Sequence, residues 1–351
     1  MIRQPLKGFR LVFMIQLTLC LGLGLVFAYG EWMPVNPGQE HLEVKVEKGD
    51  HMRTVIHRLA EQNALTSPLM FRLLATLRGD ADRIKAGLYV FNGWVSTNQV
   101  LDGMISGRSQ LVRFTIPEGR NLAEVADKLN EDGVGNGATF LALTHNPEFI
   151  QTLALPQGFP THTLEGTILP DTYYFFPGVS EAERITHMVT AFKKRAWPLL
   201  VAQASQVKLS PYQALVLASV IEKETGQAAE RPIISGVFHN RLHIRMPLAS
   251  DPTVIYGIPN YNGNISRKDL KTPTPYNTYV IKGLPPTPIT NPGLAAIQAA
   301  LNPASVTYLF FVGKGDGTHY FSSDYKTHEK AVIKYQIEPY RKRKQAQHRQ
   351  P

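Results

Sequence analysis

The sequence predicts an α+β fold, carried behind a single N-terminal transmembrane helix, and three observations predict it. An uncharged apolar run from Leu11 to Tyr29 is long enough to cross a bilayer as a helix at about 1.5 Å per residue. A strand-turn-helix pattern recurs after 70 residues, pairing Val46 with Ile116, Gly49 with Gly119, Met52 with Leu122, Val55 with Val125, Leu59 with Leu129 and Glu61 with Glu131. A helix opening at Ser210–Pro211 is apolar on almost every side before it reaches a pair of glutamates, as a helix threaded through a core would be.

Composition narrows the class. The chain of 351 residues is long enough for more than one domain, and its net charge of +9 is modest for that length. Part of the charge lies in the terminal run Arg341, Lys342, Arg343 and Lys344, which reads as a solvated tail and gives only weak support for an anionic partner. A nucleic-acid module is hard to reconcile with the membrane orientation. Cys20 is the sole cysteine and lies in the apolar run, which excludes internal disulfides and thiolate chemistry from the remainder.

Arg3, Lys7 and Arg10 precede the apolar run, whereas Glu31, Glu40 and Glu43 come before the next cation, Lys45. Residues 1–10 are therefore assigned to the cytoplasm, 11–29 to a retained anchor and the rest to the extracytoplasmic side. Cleavage after Ala28 is the competing reading, but the run exceeds an ordinary signal core. Residues 30–41 form a Pro/Gly/Asn linker, 42–135 the strand-turn-helix region, 136–340 a larger mixed domain and 341–351 the basic tail. Within the region 42–135, residues 86–91 and 97–105 supply a further strand and helix. Beyond it come a helix over 140–150, the aromatic cluster Tyr173, Tyr174, Phe175 and Phe176, and a long helix from Glu181 that Pro198 should end. A second core helix starts near Pro232, and a hairpin spans Thr307–Val312 and Thr318–Phe321 before a closing helix from Thr327.

Glu222 and Glu224 stand at the end of the central helix and, being two residues apart, point in nearly opposite directions. The neighbours of Glu222 on the adjoining turns are Ala218, Ser219, Thr225 and Gly226, all small, and they leave an open trough beside it. Those of Glu224 on the preceding turn are the bulky Val220 and Ile221. The spacing therefore favours Glu222 as the chemical residue, its proton held by an apolar helix on one side and the negative end of the helix dipole on the other. A structural ion pair with a lysine or arginine is the plain alternative. His239 and His243 stand at a metal-chelating spacing, but Arg241 lies between them and no third ligand is evident, so no metal is assigned. No cofactor is implied either. The stretch 249–279 is rich in Tyr, Asn and Thr and is followed by a proline-braced run over 283–292, the composition of a binding wall on a rigid scaffold.

The run VIEKETGQAAERPIISGVFHNRL, followed in order by SDPTVIYG, TPYNTY, GLPPTPITNPG and HYFSSDYKTH, resembles the endolytic murein transglycosylase family of bacteria, also called YceG-like. The resemblance extends from the anchor to the last helix and implies that 42–135 is a LysM-like subdomain and 136–340 the catalytic domain. It further implies a lyase that cleaves the β-1,4 bond between N-acetylmuramic acid and N-acetylglucosamine within glycan strands, leaving 1,6-anhydro ends and terminating strand elongation. The expected setting is the inner membrane beside peptidoglycan synthases. The acid of the family's EKET motif is matched to Glu222, with Asn240, Asp251, Thr253, Tyr256, Tyr276, Asn277 and Tyr279 as candidates for gripping the sugars. Ala249 and Glu329 depart from the family's usual glutamine and asparagine. Two rival readings stand: a hydrolytic muramidase using Glu222 and Asp251, and a non-catalytic membrane-tethered scaffold that binds peptidoglycan.

Overall fold

The computed structural model describes residues 6–35, 41–47, 49–92, 95–107, 111–175, 179–259 and 261–347. Part of the expected linker (36–40), Phe176 of the aromatic cluster, Asn260 of the polar loop and the end of the basic tail (348–351) lie outside these residues. The chain divides into two compact units, 1–112 with 174–178, and 113–173 with 179–351.

In the first unit α1 (Leu6–Trp32) contains a stretch of 21 residues, Val12–Trp32, long and apolar enough to cross a membrane. β1 (His41–Val46) pairs antiparallel with β2 (Gly87–Asn92), and α2 (Met52–Glu61), α3 (Pro68–Leu77) and α4 (Thr97–Ser106) complete the unit. Alternation in β1 buries Leu42, Val44 and Val46, which join a core with Val55 and Leu59 of α2, Phe71 and Leu74 of α3, and Leu101 and Met104 of α4. Apolar periodicity does not mark α3 as a separate element. Its start is nevertheless conventional, with Ser67 accepting from the Met70 amide and Pro68 in the first turn.

β3 (Val112–Thr115) and β4 (Thr172–Phe175) lie where the chain divides into units, and the second unit continues with α5 (Leu122–Glu131), capped reciprocally by Asn121 and Glu124. α2 and α5 begin 70 residues apart and are each 10 residues long, and the turn glycines before them, Gly49 and Gly119, have φ of +97° and +76°. The two copies of the pattern thus have the same local form but belong to different compact units. The single helix expected over 140–150 is two, α6 (Gly137–Thr144) and α7 (Pro147–Thr152), because Asn146 caps and Pro147 starts a new one. Likewise α8 (Glu181–Arg195) ends where Pro198 opens α9 (Trp197–Gln203).

α10 (Pro211–Glu224) begins at a capping box formed by Ser210 and Gln213 and is the axis of the unit. Ala214 to Ile221 are all buried, among side chains from α8, α9, α11 (Arg231–His243) and α13 (Leu294–Leu301). A short α12 (Asp251–Tyr256) lies inside the polar loop. β5 (Phe310–Gly313) and β6 (His319–Ser322) make the hairpin, and α14 (Tyr325–Val332) runs through a π-helical turn at Ile333–Ile337 into α15 (Glu338–Gln347).

Candidate active site

The two glutamates at the end of α10 point to opposite surroundings, which are the reverse of those their local sequence suggested. Glu222 has no open trough. Ala218 and Ser219 are fully buried, and the Ser219 hydroxyl donates to the Val216 carbonyl (2.7 Å) while accepting from the Ile289 amide (3.0 Å). The proline-braced run, expected as a binding wall, packs into the space that the small side chains leave. The amide of Gly293, the residue after that run, donates to Glu222 Oε2 at 2.8 Å, and Arg231 Nη2 approaches Oε1 at 3.4 Å while donating to Glu118 Oε2 at 2.8 Å. The Glu222 side chain is only 3% exposed. Burial raises its pKa, opposed by the Gly293 amide, reinforced by the Glu118 charge and opposed again by Arg231 and Lys223. This is the structural ion pair offered as the plain alternative.

Glu224, the last residue of α10, lines a cavity of about 620 Å³ that Glu222 does not line. Arg241 of α11, Asp251, Tyr279, the hairpin residues Phe310, Phe311 and His319, and Tyr325 and His328 of α14 share its wall. Glu224 is half-buried as a residue, packed closely by protein on the cavity wall. Its pKa is pushed up to about 7, first by desolvation and then by the nearby Asp251, against the lowering effects of the Ser250 hydroxyl, which donates to Oε1, and of Arg241. Position at the helix C-terminus acts in the same upward direction. Arg241 is held rigid, with Nε donating to the Leu309 carbonyl at 2.6 Å and its guanidinium 5.5 Å from the centre of the Phe310 ring. Tyr279 donates to Asp251 Oδ1 at 2.7 Å. His328 stacks on Phe310 with ring centres 5.1 Å apart, and its Nδ1 is buried without a hydrogen-bond partner among the described residues.

Of the residues expected to grip sugars, Asp251 and Tyr279 are thus on the same cavity as Glu224, and the others are elsewhere. Thr253 is fully buried and bonds to the Ser250 carbonyl and the Thr278 hydroxyl, both at 2.7 Å. Asn277 is also fully buried, and its Nδ2 donates to the carbonyls of Asp269, Leu270 and Thr272. Tyr256 donates to Glu165 Oε2 at 3.1 Å, and Tyr276 shares a hydrogen bond of 2.8 Å with Thr287. Glu165 is itself buried and also receives the Leu122 amide and Asn291 Nδ2; desolvation lifts its pKa to about 8. Asn240 donates to the Val306 and Tyr308 carbonyls and borders a separate cavity of about 830 Å³. These side chains frame the loops rather than line the Glu224 cleft. Arg241, His319, His328 and the aromatic wall were missed, although HYFSSDYKTH had marked three of them as part of a motif.

A carboxyl whose pKa is raised towards neutrality, on the wall of an aromatic-edged cleft, has the properties that general-acid chemistry requires. The chain belongs to the YceG-like family, whose model matches residues 44–334. It is 29% identical over 329 residues to the endolytic murein transglycosylase of Bacillus subtilis (strain 168), covering 89% of this chain and 91% of that one. The protein of the same name from Streptococcus pneumoniae serotype 2 (strain D39 / NCTC 7466) is 26% identical over 362 residues, covering 94% of this chain and 65% of the relative. The crystal structure of a putative YceG-like protein from Listeria monocytogenes matches with a TM-score of 0.56 and 30% identity, over 83% of this chain and 98% of that one.

Proposed function

We propose that this chain is an endolytic lytic transglycosylase of peptidoglycan and that Glu224, rather than Glu222, is its acid and base. The observation that carries the reading is the Glu224 carboxyl, with a pKa of about 7, on the cavity it shares with Asp251, Tyr279 and Arg241. The protonated carboxyl donates to the oxygen of the β-1,4 bond as it leaves C1 of N-acetylmuramic acid, freeing the 4-hydroxyl of N-acetylglucosamine. The carboxylate so formed takes the proton of the muramic C6 hydroxyl, whose oxygen attacks C1 and closes the 1,6-anhydro ring. The nucleophile belongs to the substrate, so one acid/base group suffices where a hydrolase ordinarily needs two. Phe310, Phe311, Tyr279 and Tyr325 offer flat apolar walls to sugar rings, and Arg241 carries a fixed positive charge beside the acid.

Asp251 on the same cavity favours a second reading, a hydrolytic muramidase in which it is the partner carboxylate. Mass spectrometry of digested glycan strands separates the two, because a lyase yields anhydromuramic ends and a hydrolase reducing ones. A scaffold without activity would yield neither, and its function would survive Glu224→Gln. With α1 as a single-pass anchor and the cation-rich end inside, the cleft would work on the extracytoplasmic face. There it could shorten nascent strands beside the synthases that extend them.

A further inference from the structure

The first unit carries an apolar surface that the glycan reaction does not use. α3 buries Phe71, Leu74 and Ala75 in the core of the unit, yet Leu69, Leu73 and Leu77, at i, i+4 and i+8 on its other side, are 74%, 41% and 43% exposed. A solvated helix face would not repeat leucine at that spacing. The helix is 10 residues long, about 15 Å, too short to span a bilayer.

Its position on α1 identifies what covers the stripe. Tyr29, near the end of α1, exchanges two hydrogen bonds with Ser67 at the cap of α3, its hydroxyl accepting from the amide (3.2 Å) and donating to the carbonyl (3.3 Å). α3 crosses α1 at Gly30, where an added Cβ would lie 2.7 Å from Leu74 Cδ2. Leu73 and Leu77 then line an apolar groove of about 710 Å³ together with Leu19, Leu23 and Val26 of α1. The leucine stripe is therefore continuous with the segment that is apolar enough to lie in hydrocarbon. Arg72 and Thr76 are exposed along one edge of the stripe, where the Arg72 head can extend towards headgroup phosphates while its stem stays among acyl chains.

We propose that α3 is an interfacial membrane helix, with Leu69, Leu73 and Leu77 seated among the acyl chains of the leaflet into which α1 emerges, so that the first unit is held on the bilayer at two points. The proposal rests on reading α1 as a membrane span. The test uses the full chain in lipid vesicles, with the exposed Cys20 replaced by serine and single cysteines carrying an environment-sensitive fluorophore at three positions. Leu21→Cys reports insertion of α1, Leu73→Cys reports α3, and Arg53→Cys, on the exposed side of α2, is the aqueous reference. The expected result is blue-shifted emission at Leu73 and its loss with lipid-borne nitroxide quenchers placed shallow in the acyl chains, alongside quenching at Leu21 by nitroxides placed deep in the chains and none at Arg53 by either. Quenching at Leu21 with emission at Leu73 like that at Arg53 overturns the proposal and leaves the anchor standing. Blue-shifted emission at Leu73 that lipid quenchers do not reduce means a protein partner covers the stripe, and also overturns it. If Leu21 is unquenched as well, the anchor reading and the proposal fail together.

Discussion

Replacing Glu224 with glutamine should remove activity and stabilise the fold at once, and that pairing distinguishes it from Glu222. Loss of a positioned acid/base group costs about 10²- to 10⁴-fold in turnover, equivalent to about 3–5 kcal/mol at 1.36 kcal/mol per decade. The stability effect follows from the raised pKa of about 7 against an ordinary 4.5. The folded state binds this proton more tightly than the unfolded chain, so the residue favours folding most below pH 4.5. That advantage is lost as pH rises through 7. Above pH 7 the ionised carboxyl carries an energetic cost of at most about 3 kcal/mol, reduced to about 1–3 kcal/mol because the residue is only half-buried. Glutamine keeps an oxygen to accept the Ser250 hydroxyl and never ionises. At pH 8 the variant should therefore melt a few degrees above the parent in differential scanning calorimetry, while anhydromuropeptide release measured by mass spectrometry falls by at least about 100-fold. Near-parental release from Glu224→Gln would refute the assignment. So would a folded Glu222→Gln variant that releases no product while Glu224→Gln does.

If protonated Glu224 is the working form, kcat/KM on isolated glycan strands should decline as pH rises through about 7, and a profile flat to pH 9 would count against it. Arg231→Met strands the buried Glu222 carboxylate and should cost about 3–5 kcal/mol in urea unfolding, whereas Arg231→Met combined with Glu222→Gln should recover most of that loss. Asn277→Ala removes the donor shared by three loop carbonyls and should destabilise the chain by about 2–4 kcal/mol in the same assay. Tyr279→Phe removes the hydrogen bond to Asp251 at the cleft and should lower kcat/KM by about 5- to 10-fold with an unchanged melting temperature.

Where local chemistry decides the structure, the sequence was readable. The Ser210–Pro211 start of α10, the repeated glycine turns at Gly49 and Gly119 and the break before Pro198 each follow from a residue's own backbone preference. α3 and α13 were not readable, because a short helix that is apolar on most sides lacks the periodic contrast that marks an amphipathic one. Spacing alone does not decide between Glu222 and Glu224 for a related reason. Spacing showed that the two carboxyls diverge, but which one meets a cavity is set by residues far along the chain. Glu118, Arg231 and Gly293 close one side, while Arg241, Asp251, Tyr279 and Phe310 leave the other open. Small neighbours on a helix suggest empty space in a sequence, yet in a packed interior they mark where another segment comes closest, as the proline-braced run does beside Ser219.

The polar loop shows the same principle in its side chains. A stretch with little regular secondary structure must satisfy its own amides and carbonyls, and any that are buried need partners from side chains. Thr253, Asn277 and Asn291 are fully buried and meet that need: Asn277 binds three carbonyls, and Asn291 Oδ1 accepts from the Gly166 and Ile168 amides. A loop rich in Asn, Thr and Tyr is therefore not uniformly a binding surface. Its fully buried polar residues hold the backbone, and its solvent-reached ones, Asp251 and Tyr279, are free to face a ligand. The two sets are linked, since the Tyr279 amide donates to Asn277 Oδ1, and Ser250, which bonds Glu224, donates its own amide to Thr278. The residues that do not touch the cleft thereby fix the position of those that do. For that reason Asn277→Ala should lower activity as well as stability, through displacement of Tyr279 and Asp251 rather than through any contact of its own.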